Sequence, residues 1–345
     1  MKASSPLRLG VLGLTHDHVW GNLQDLRRIK GASLVAVADT NAALRDRAHK
    51  EFGCAAYADA AKLLEREELD AVYIFGDNAG GAELGVAAAR HGLHILIEKP
   101  LAADLAGADK LLAAVRNSGV RLMVNWPFAW WPQLQTALEL VAQGKIGRVW
   151  QTNYRAAHNG PREMGCSPFF SDWLYDARRN GGGAFIDYCC YGAVLARTLM
   201  GQPARVTGVK TRACKEDITV EDNGVLVMTY NGGLALTTAS WTQIGHLTSY
   251  VAVIYGTTGT LLIEPGAKSR LLLATASDQD GREVKVPKPK PHLANASAHF
   301  VHCLQTGEAF HPLCNDRNGR DAQEILSAGM LSAQEGREVS LPLRE

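Results

Sequence analysis

Residues 10–21 read GVLGLTHDHVWG. An apolar run leads into this stretch and helical periodicity follows it, the setting of a dinucleotide-binding loop. Such a loop works because backbone N–H groups at a helix N-terminus face a pyrophosphate, and glycines allow the tight turn and the close approach. Gly13 supplies the first glycine position; Thr15 stands at the second and His18 at the third. Threonine still permits moderate approach, and its hydroxyl can bond a phosphate oxygen. His18 fills space between helix and strand. Asp39 ends the next apolar run, 21 residues after His18, near the interval of roughly 20 residues at which a carboxylate bonds the ribose hydroxyls. That charge repels a 2′-phosphate and favours NAD, while Thr40 and Asn41 just beyond it keep NADP open. Asp39 would also serve as an N-cap for the next helix. His16 and His18 have the spacing of a metal-ligand pair, but a zinc site takes three or four convergent ligands. No third ligand lies nearby in sequence, so no metal is expected. His16 and Asp17 are expected to line the mouth of the cofactor cleft, or His16 to cap the helix.

A second group of chemical residues, Glu98, Lys99 and Pro100, closes the apolar run in ILIEKPLA. In open parallel sheets, ligands bind outside the carboxyl ends of the strands. The elements that must hold these residues are read from periodicity. LRLGVLG, SLVAVAD, DAVYIF, HILIE and VRLMV are near-continuous apolar runs, and helical patterns separate them. Strands alternating with helices predict a doubly wound parallel sheet covered on both faces, a Rossmann architecture over residues 1–124. Asp104 and Gly119 mark the two ends of one of its helices. After Val124 the rhythm changes. A helix at 132–144, a glycine-led apolar helix at 184–200 and two more near 294–306 and 317–336 accompany a series of strands with short turns, such as YNGG and YGTTGT. Residues 125–345 are therefore expected to form an α+β unit on a mostly antiparallel open sheet. The stretch from His158 to Asn180 reads as loop with short helical pieces.

The chain has 345 residues, too many for one ordinary core. Its net charge of +1 implies no basic surface for nucleic acid. No apolar run approaches the roughly 20 residues of a membrane span, and the first ten residues carry no secretory h-region. Seven cysteines at scattered spacings, with no CxxC pair, fit reduced thiols and a cytoplasmic location. The adjacent Cys189 and Cys190 read as small apolar fillers on a buried helix.

Taken together, GVLG, VAVAD, EKPLA, GKIGRV, NGGGAFIDYCCYGA, EDNGVLVMTYNGGLALTTASW and SAGMLSAQEGREVSLP give a chain that resembles the glucose-fructose oxidoreductase / inositol dehydrogenase / MocA (Gfo/Idh/MocA) family over nearly its whole length. The resemblance implies an NAD(P)-dependent oxidoreductase. It implies that Lys99 bonds the reacting oxygen, that Glu98 positions Lys99 or touches the ribose, that Asn78 lies on the nicotinamide side, and that Asp187 binds substrate. The family usually places a histidine four residues beyond that aspartate; this chain has Tyr191. A tyrosine is a poor base at neutral pH unless a cation such as Lys99 lowers its pKa. Asp187 or His158 are the other proton carriers. Ala129 stands where the family often has arginine, within the aromatic stretch NWPFAWWP. Trp126 there, and Trp173 before the glycine triplet, suit the apolar face of a sugar ring, although an aromatic wedge between two units would use the same residues. Tyr175, Arg178 and Arg179 are further candidates for the pocket wall.

The expected activity is hydride transfer between a nicotinamide and a hydroxyl-bearing carbon of a sugar, cyclitol or related polyol. The alternatives are a non-redox nucleotide- or sugar-binding protein of the same fold, or a lyase or glycosidase that retains NAD. Apolar residues on both faces of the later strands predict a homodimer or homotetramer.

Overall fold

A computed structural model of the chain describes residues 6–266 and 269–343. The first half runs β1 (Leu7–Leu12), α1 (His18–Leu26), β2 (Ala32–Ala38), α2 (Ala42–Phe52), β3 (Ala55–Tyr57), α3 (Ala60–Arg66), β4 (Ala71–Ile74), α4 (Asn78–Arg90), β5 (His94–Glu98), α5 (Leu105–Ser118) and β6 (Leu122–Asn125). The six strands pair in the order β3-β2-β1-β4-β5-β6, all parallel. Strands β4 and β6 are buried at every position, because helices cover both faces. This is why β4 is apolar throughout and β6 is apolar up to its last residue, Asn125. The strand order reverses between β1 and β4, which opens a crevice over their carboxyl ends. The expected cap of α5 is present: Asp104 Oδ1 accepts from the Gly107 amide at 2.8 Å, and Gly119 ends the helix with φ 68°. The short β3 and α3 escape the sequence pattern, since three strand residues are too few to show a period.

The second half adds α6 (Pro132–Ala142), β7 (Val149–Ala157), α7 (Pro168–Leu174), α8 (Ala177–Asn180), α9 (Ala184–Met200), β8 (Arg205–Thr211), β9 (Asn223–Tyr230), β10 (Gly233–Ser240), β11 (Tyr250–Gly256), β12 (Gly259–Glu264), β13 (Arg270–Thr275), β14 (Asp278–Glu283), α10 (Ala296–Thr306), α11 (Asp316–Glu335) and β15 (Val339–Ser340). Its nine strands form one sheet in the order β14-β13-β12-β11-β7-β10-β9-β8-β15. Every neighbouring pair is antiparallel except β7 and β10. The fold class read from the sequence is the one observed. Strand β14 was not foreseen. Its sequence, DQDGRE, is polar throughout, as suits a sheet edge that must not recruit another strand. Alternation along β9 and β10 turns Leu226, Met228, Ala235 and Thr237 inward against α9 and α11. Val225, Val227 and Leu236 face the other way, on the open side of the sheet.

The last two helices return to the first sheet. Helix α10 packs on α1, where Ser297 Oγ donates to the Asn22 carbonyl at 3.0 Å. Helix α11 packs on α5, and Arg320 Nε donates to Asp109 Oδ1 at 2.7 Å. Met123 of β6 forms a backbone bridge with Asn315. Among the described residues, no helix is long and apolar enough to cross a membrane. Cys189 and Cys190 are buried on α9, as expected of fillers.

Candidate active site

Strand β5 delivers Lys99 into the crevice between the two sheets. Helix α9 delivers Asp187 from the other side. The approach depends on Gly181, which has φ 90° and passes so close to the loop after Pro100 that a Cβ there would lie 2.1 Å from the Ala103 carbonyl oxygen. Asp187 sits in the first turn of α9, where the helix dipole favours a carboxylate. Lys99 Nζ lies 2.5 Å from Asp187 Oδ1 and 3.0 Å from the Asp187 carbonyl oxygen. Trp241 Nε1 donates to Asp187 Oδ2 at 3.3 Å. Lys99 is only 4% exposed. Burial opposes its charge, but Asp187, Cys190 and Glu98 outweigh burial and raise its pKa above the ordinary lysine value. The ammonium is therefore held charged inside the protein.

Lys99 and Asp187 form one wall of a cavity of about 220 Å³, with His18, Phe128, Trp131, Tyr154, His158, Phe170, Tyr188, Tyr191 and Tyr250 among its lining residues. Tyr191 packs beside Lys99, whose Nζ is 5.0 Å from the ring centroid, and stacks on Tyr154. Burial pushes its phenol well above the usual range, and the neighbouring Cys190 and Tyr154 add to this. The net shift is upward despite the nearby Lys99, so the condition set for Tyr191 as a base is not met. His158 Nδ1 accepts from the Gly160 amide at 2.8 Å, which places the proton of the neutral ring on Nε2. Burial pushes His158 down to about 4, with Asp187 pulling partly the other way. At neutral pH it is an uncharged donor.

Trp126 and Trp173 do not line this cavity, which corrects the expectation of direct sugar contact. Both are buried behind it, at 0% and 1% exposure. Trp126 packs edge-on against Phe128 and Tyr191, and Trp173 against Phe170, so they support the aromatic wall rather than form it. Arg179 turns outward to pair with Asp77 at 2.8 Å. Aromatic residues missed by the sequence reading, Tyr154, Phe170, Tyr188 and Tyr250, supply the wall. Of these, only Tyr188 sits in a motif that drew attention.

The first loop makes the tight turn expected of it. Gly13 has φ 83°, and a Cβ there would lie 2.7 Å from the Gly76 amide nitrogen. Asp39 ties the loop together and does not cap α2, whose N-cap position is held by Asn41: Oδ2 accepts from the Leu14 amide at 2.6 Å, and Oδ1 from the Asn41 amide at 2.7 Å. Thr15 Oγ1 is buried with no partner among the described residues. The expected open mouth is covered. His16 is 1% exposed, with its ring 4.2 Å from that of Phe170 on α7. Burial, His18 and Lys99 hold His16 well below the usual imidazole pKa. Asp17 accepts from the Ser167 amide at 2.7 Å and from Ser167 Oγ at 2.6 Å. Asn78 Nδ2 donates to Asn180 Oδ1 at 2.8 Å. His18 turns to Glu98, with Nδ1 3.2 Å from Oε1, and Asn125 Nδ2 donates to Glu98 Oε2 at 2.7 Å.

Comparison with known proteins agrees with this architecture. Residues 7–126 match the model of an oxidoreductase family with an NAD-binding Rossmann fold, and residues 134–262 match the GFO/IDH/MocA C-terminal domain. A D-apiose dehydrogenase of Paraburkholderia graminis is 28% identical, the match covering 96% of this chain and 88% of the relative. A scyllo-inositol 2-dehydrogenase (NADP(+)) of Bacillus subtilis, IolU, is 27% identical over 74% of this chain and 75% of the relative. The fold is also that of levoglucosan dehydrogenase, solved with NADH and levoglucosan, with a TM-score of 0.82 at 22% identity and coverage of 98% of this chain and all (100%) of that one. With both of its halves matched in sequence and its two sheets in the expected order, the chain belongs to the Gfo/Idh/MocA family of oxidoreductases.

Proposed function

We propose that this oxidoreductase moves a hydride between a nicotinamide dinucleotide and a hydroxyl-bearing carbon of a small sugar, cyclitol or related polyol. The observation that carries the reading is the charged Lys99, buried against Asp187 at the wall of the aromatic cavity. A volume of about 220 Å³ falls below the roughly 300–1,000 Å³ of sites for drug-sized ligands, so it suits a single ring rather than a nucleotide sugar.

The residues of the first crevice fit a dinucleotide. Gly13 makes the turn, the Thr15 hydroxyl has no partner among the described residues, and Asp39 stands just past the end of β2. Gly13, Thr15 and Asp39 would hold it, with Glu98, His16 and Asn78 toward the nicotinamide end. When bound, the nicotinamide supplies or takes the hydride. Lys99 donates to the substrate oxygen and stabilises negative charge there as the C–O bond order changes. Asp187 keeps Lys99 charged and aimed. His158, through Nε2–H, donates to a second substrate oxygen. Of the expected proton carriers, Asp187 alone presents acceptor oxygens without the high pKa of Tyr191 or the blocked Nδ1 of His158. The aromatic wall keeps water out and presents flat apolar faces to the ring. Incubation with NAD or NADP and a panel of aldoses, inositols and polyols should produce the absorbance of reduced nicotinamide. Silence across the panel, despite tight dinucleotide binding, would sink the reading.

A second reading, binding without redox turnover, is favoured by the cover over the first loop: His16 lies under Phe170, and Asn78 is held by Asn180. It predicts that Lys99→Ala keeps both ligand affinity and biological function. In either reading the chain divides after Val124 into a dinucleotide-holding unit and a substrate-holding unit, and the seven cysteines suit a reducing cytoplasm. Two or four copies associate through the open sheet face, where Val209 is 61% and Leu234 40% exposed. Light scattering that reports a monomer would refute the association.

A further inference from the structure

We propose that His16, His18 and Glu98 form a binding site for a divalent first-row transition-metal ion that faces the substrate cavity. The three residues offer ligand atoms that all lie within 4.8 Å of one another. Two ligands bonded at about 2.0–2.1 Å to a tetrahedral ion lie roughly 3.3 Å apart. His18 Nδ1 and Glu98 Oε1 already stand 3.2 Å apart. His16 Nδ1 is engaged only by the His18 amide at 3.2 Å, a long contact that a small ring rotation gives up. The fold thus brings a third ligand, 80 residues away in sequence, to the histidine pair of the first loop.

Two further observations point to a cation. Glu98 is held from behind, since Asn125 Nδ2 donates to Oε2 at 2.7 Å and leaves Oε1 directed at His18. Such outer hydrogen bonds orient metal-bound carboxylates. The local charge is also unbalanced. Lys99 is matched by Asp187, while Glu98 and Asp17 have no lysine or arginine partner among the described residues. The Glu98 carboxylate remains beside two imidazoles, and a dication would neutralise it. Two nitrogens and one carboxylate oxygen suit Zn²⁺, Co²⁺, Fe²⁺ or Mn²⁺ better than Ca²⁺ or Mg²⁺. Three protein ligands leave coordination positions open, and His18 lines the cavity. A hydroxyl or carbonyl oxygen of a sugar could fill one of them. The site does not depend on hydride transfer or on a bound dinucleotide.

The test is metal uptake rather than turnover, so a negative result leaves the hydride-transfer reading standing. The full chain, stripped with a chelator, is titrated with Co²⁺ while its visible d–d bands are followed, and with Zn²⁺ by calorimetry. One equivalent is expected to bind and to give intense bands of low coordination number. His18→Ala and Glu98→Gln should each weaken binding by at least about 100-fold, and Asn125→Ala by roughly 10-fold. Glu98→Gln keeps the side-chain shape, and circular dichroism checks that each variant is folded. The stacked surface pair His292 and His302 is the competing site, with ring centroids 4.3 Å apart. No uptake, uptake indifferent to the His18 and Glu98 variants, or uptake abolished by His302→Ala would overturn the proposal.

Discussion

The crevice between the two sheets is closed at both ends, by different physics. At the Lys99 end a charged pair crosses it, with both partners buried and Trp241 satisfying the second carboxylate oxygen. At the first-loop end the crossing contacts are hydrogen bonds and rings: Asp17 to Ser167, Asn78 to Asn180, and Phe170 over His16. Breaking one partner of a buried ion pair costs about 3–5 kcal/mol, because the other charge is stranded. A single hydrogen bond is worth about 0.5–1.5 kcal/mol net, or about 1.5–3 kcal/mol when one group is charged. The Lys99 end is thus fixed in advance for chemistry, and the loop end is the less costly one to open for a large ligand.

The contrast is sharpest in Lys99→Met. This variant strands Asp187 and should lower unfolding free energy by about 3–5 kcal/mol, and kcat by about 10²–10³-fold, read by chemical denaturation and initial rates. The double variant Lys99→Met/Asp187→Leu should recover most of the stability and none of the turnover. If Asp17→Asn proves as destabilising as Lys99→Met, the two ends are not different in kind.

A smaller effect comes from the buried histidine beside the pair. His158 is pushed down to about 4 in the fold, below its unfolded value of about 6.5. Between those values the unfolded chain takes up a proton that the fold refuses. The stability is fully present above about pH 6.5 and is lost as pH falls toward about 4, by up to roughly 1.4 kcal/mol per pH unit. His299 on α10, also buried and pushed to about 4, adds its own share. His158→Gln should flatten the denaturation profile across that window by one histidine's worth, while leaving the His299 contribution in place.

At the loop end, Ser167→Ala removes a hydroxyl that donates to the Asp17 carboxylate and also caps α7 by accepting from the Phe170 amide at 3.2 Å, and it should cost about 2–3 kcal/mol, measured by thermal unfolding. The smallest effect is expected of Thr15→Val. It removes a hydroxyl that has no partner among the described residues, so it should leave stability within about 0.5 kcal/mol. Weakening of NAD binding by roughly threefold to tenfold in this variant, measured by calorimetry, would place that hydroxyl on the cofactor.

What the sequence could show follows the same division. The longer strands of the first sheet announce themselves because burial on both faces leaves few polar positions in them, and Lys99 stands out just past the end of one of them. The second sheet is readable wherever one face is buried, as in β9 and β10. The polar β14 and the three-residue β3 carry no such pattern. The candidate site was readable where a motif carried it, as for Glu98, Lys99 and Asp187. Its partners were not. Phe170, Trp241 and Asn125 reach the site through tertiary packing across intervals that leave no period in the chain. The same holds for the cover over His16: nothing in the loop sequence says that α7 will lie on it.

The return of α10 and α11 bears on how the chain is made. Ser297 reaches Asn22 and Arg320 reaches Asp109, across 275 and 211 residues. During synthesis the dinucleotide-holding layer leaves the ribosome first, with the surfaces of α1 and α5 that these helices later cover still bare. A nascent chain stalled before residue 296 would carry the six-stranded sheet with the α1 and α5 flank uncovered, a target for chaperones until its own C-terminal segment arrives.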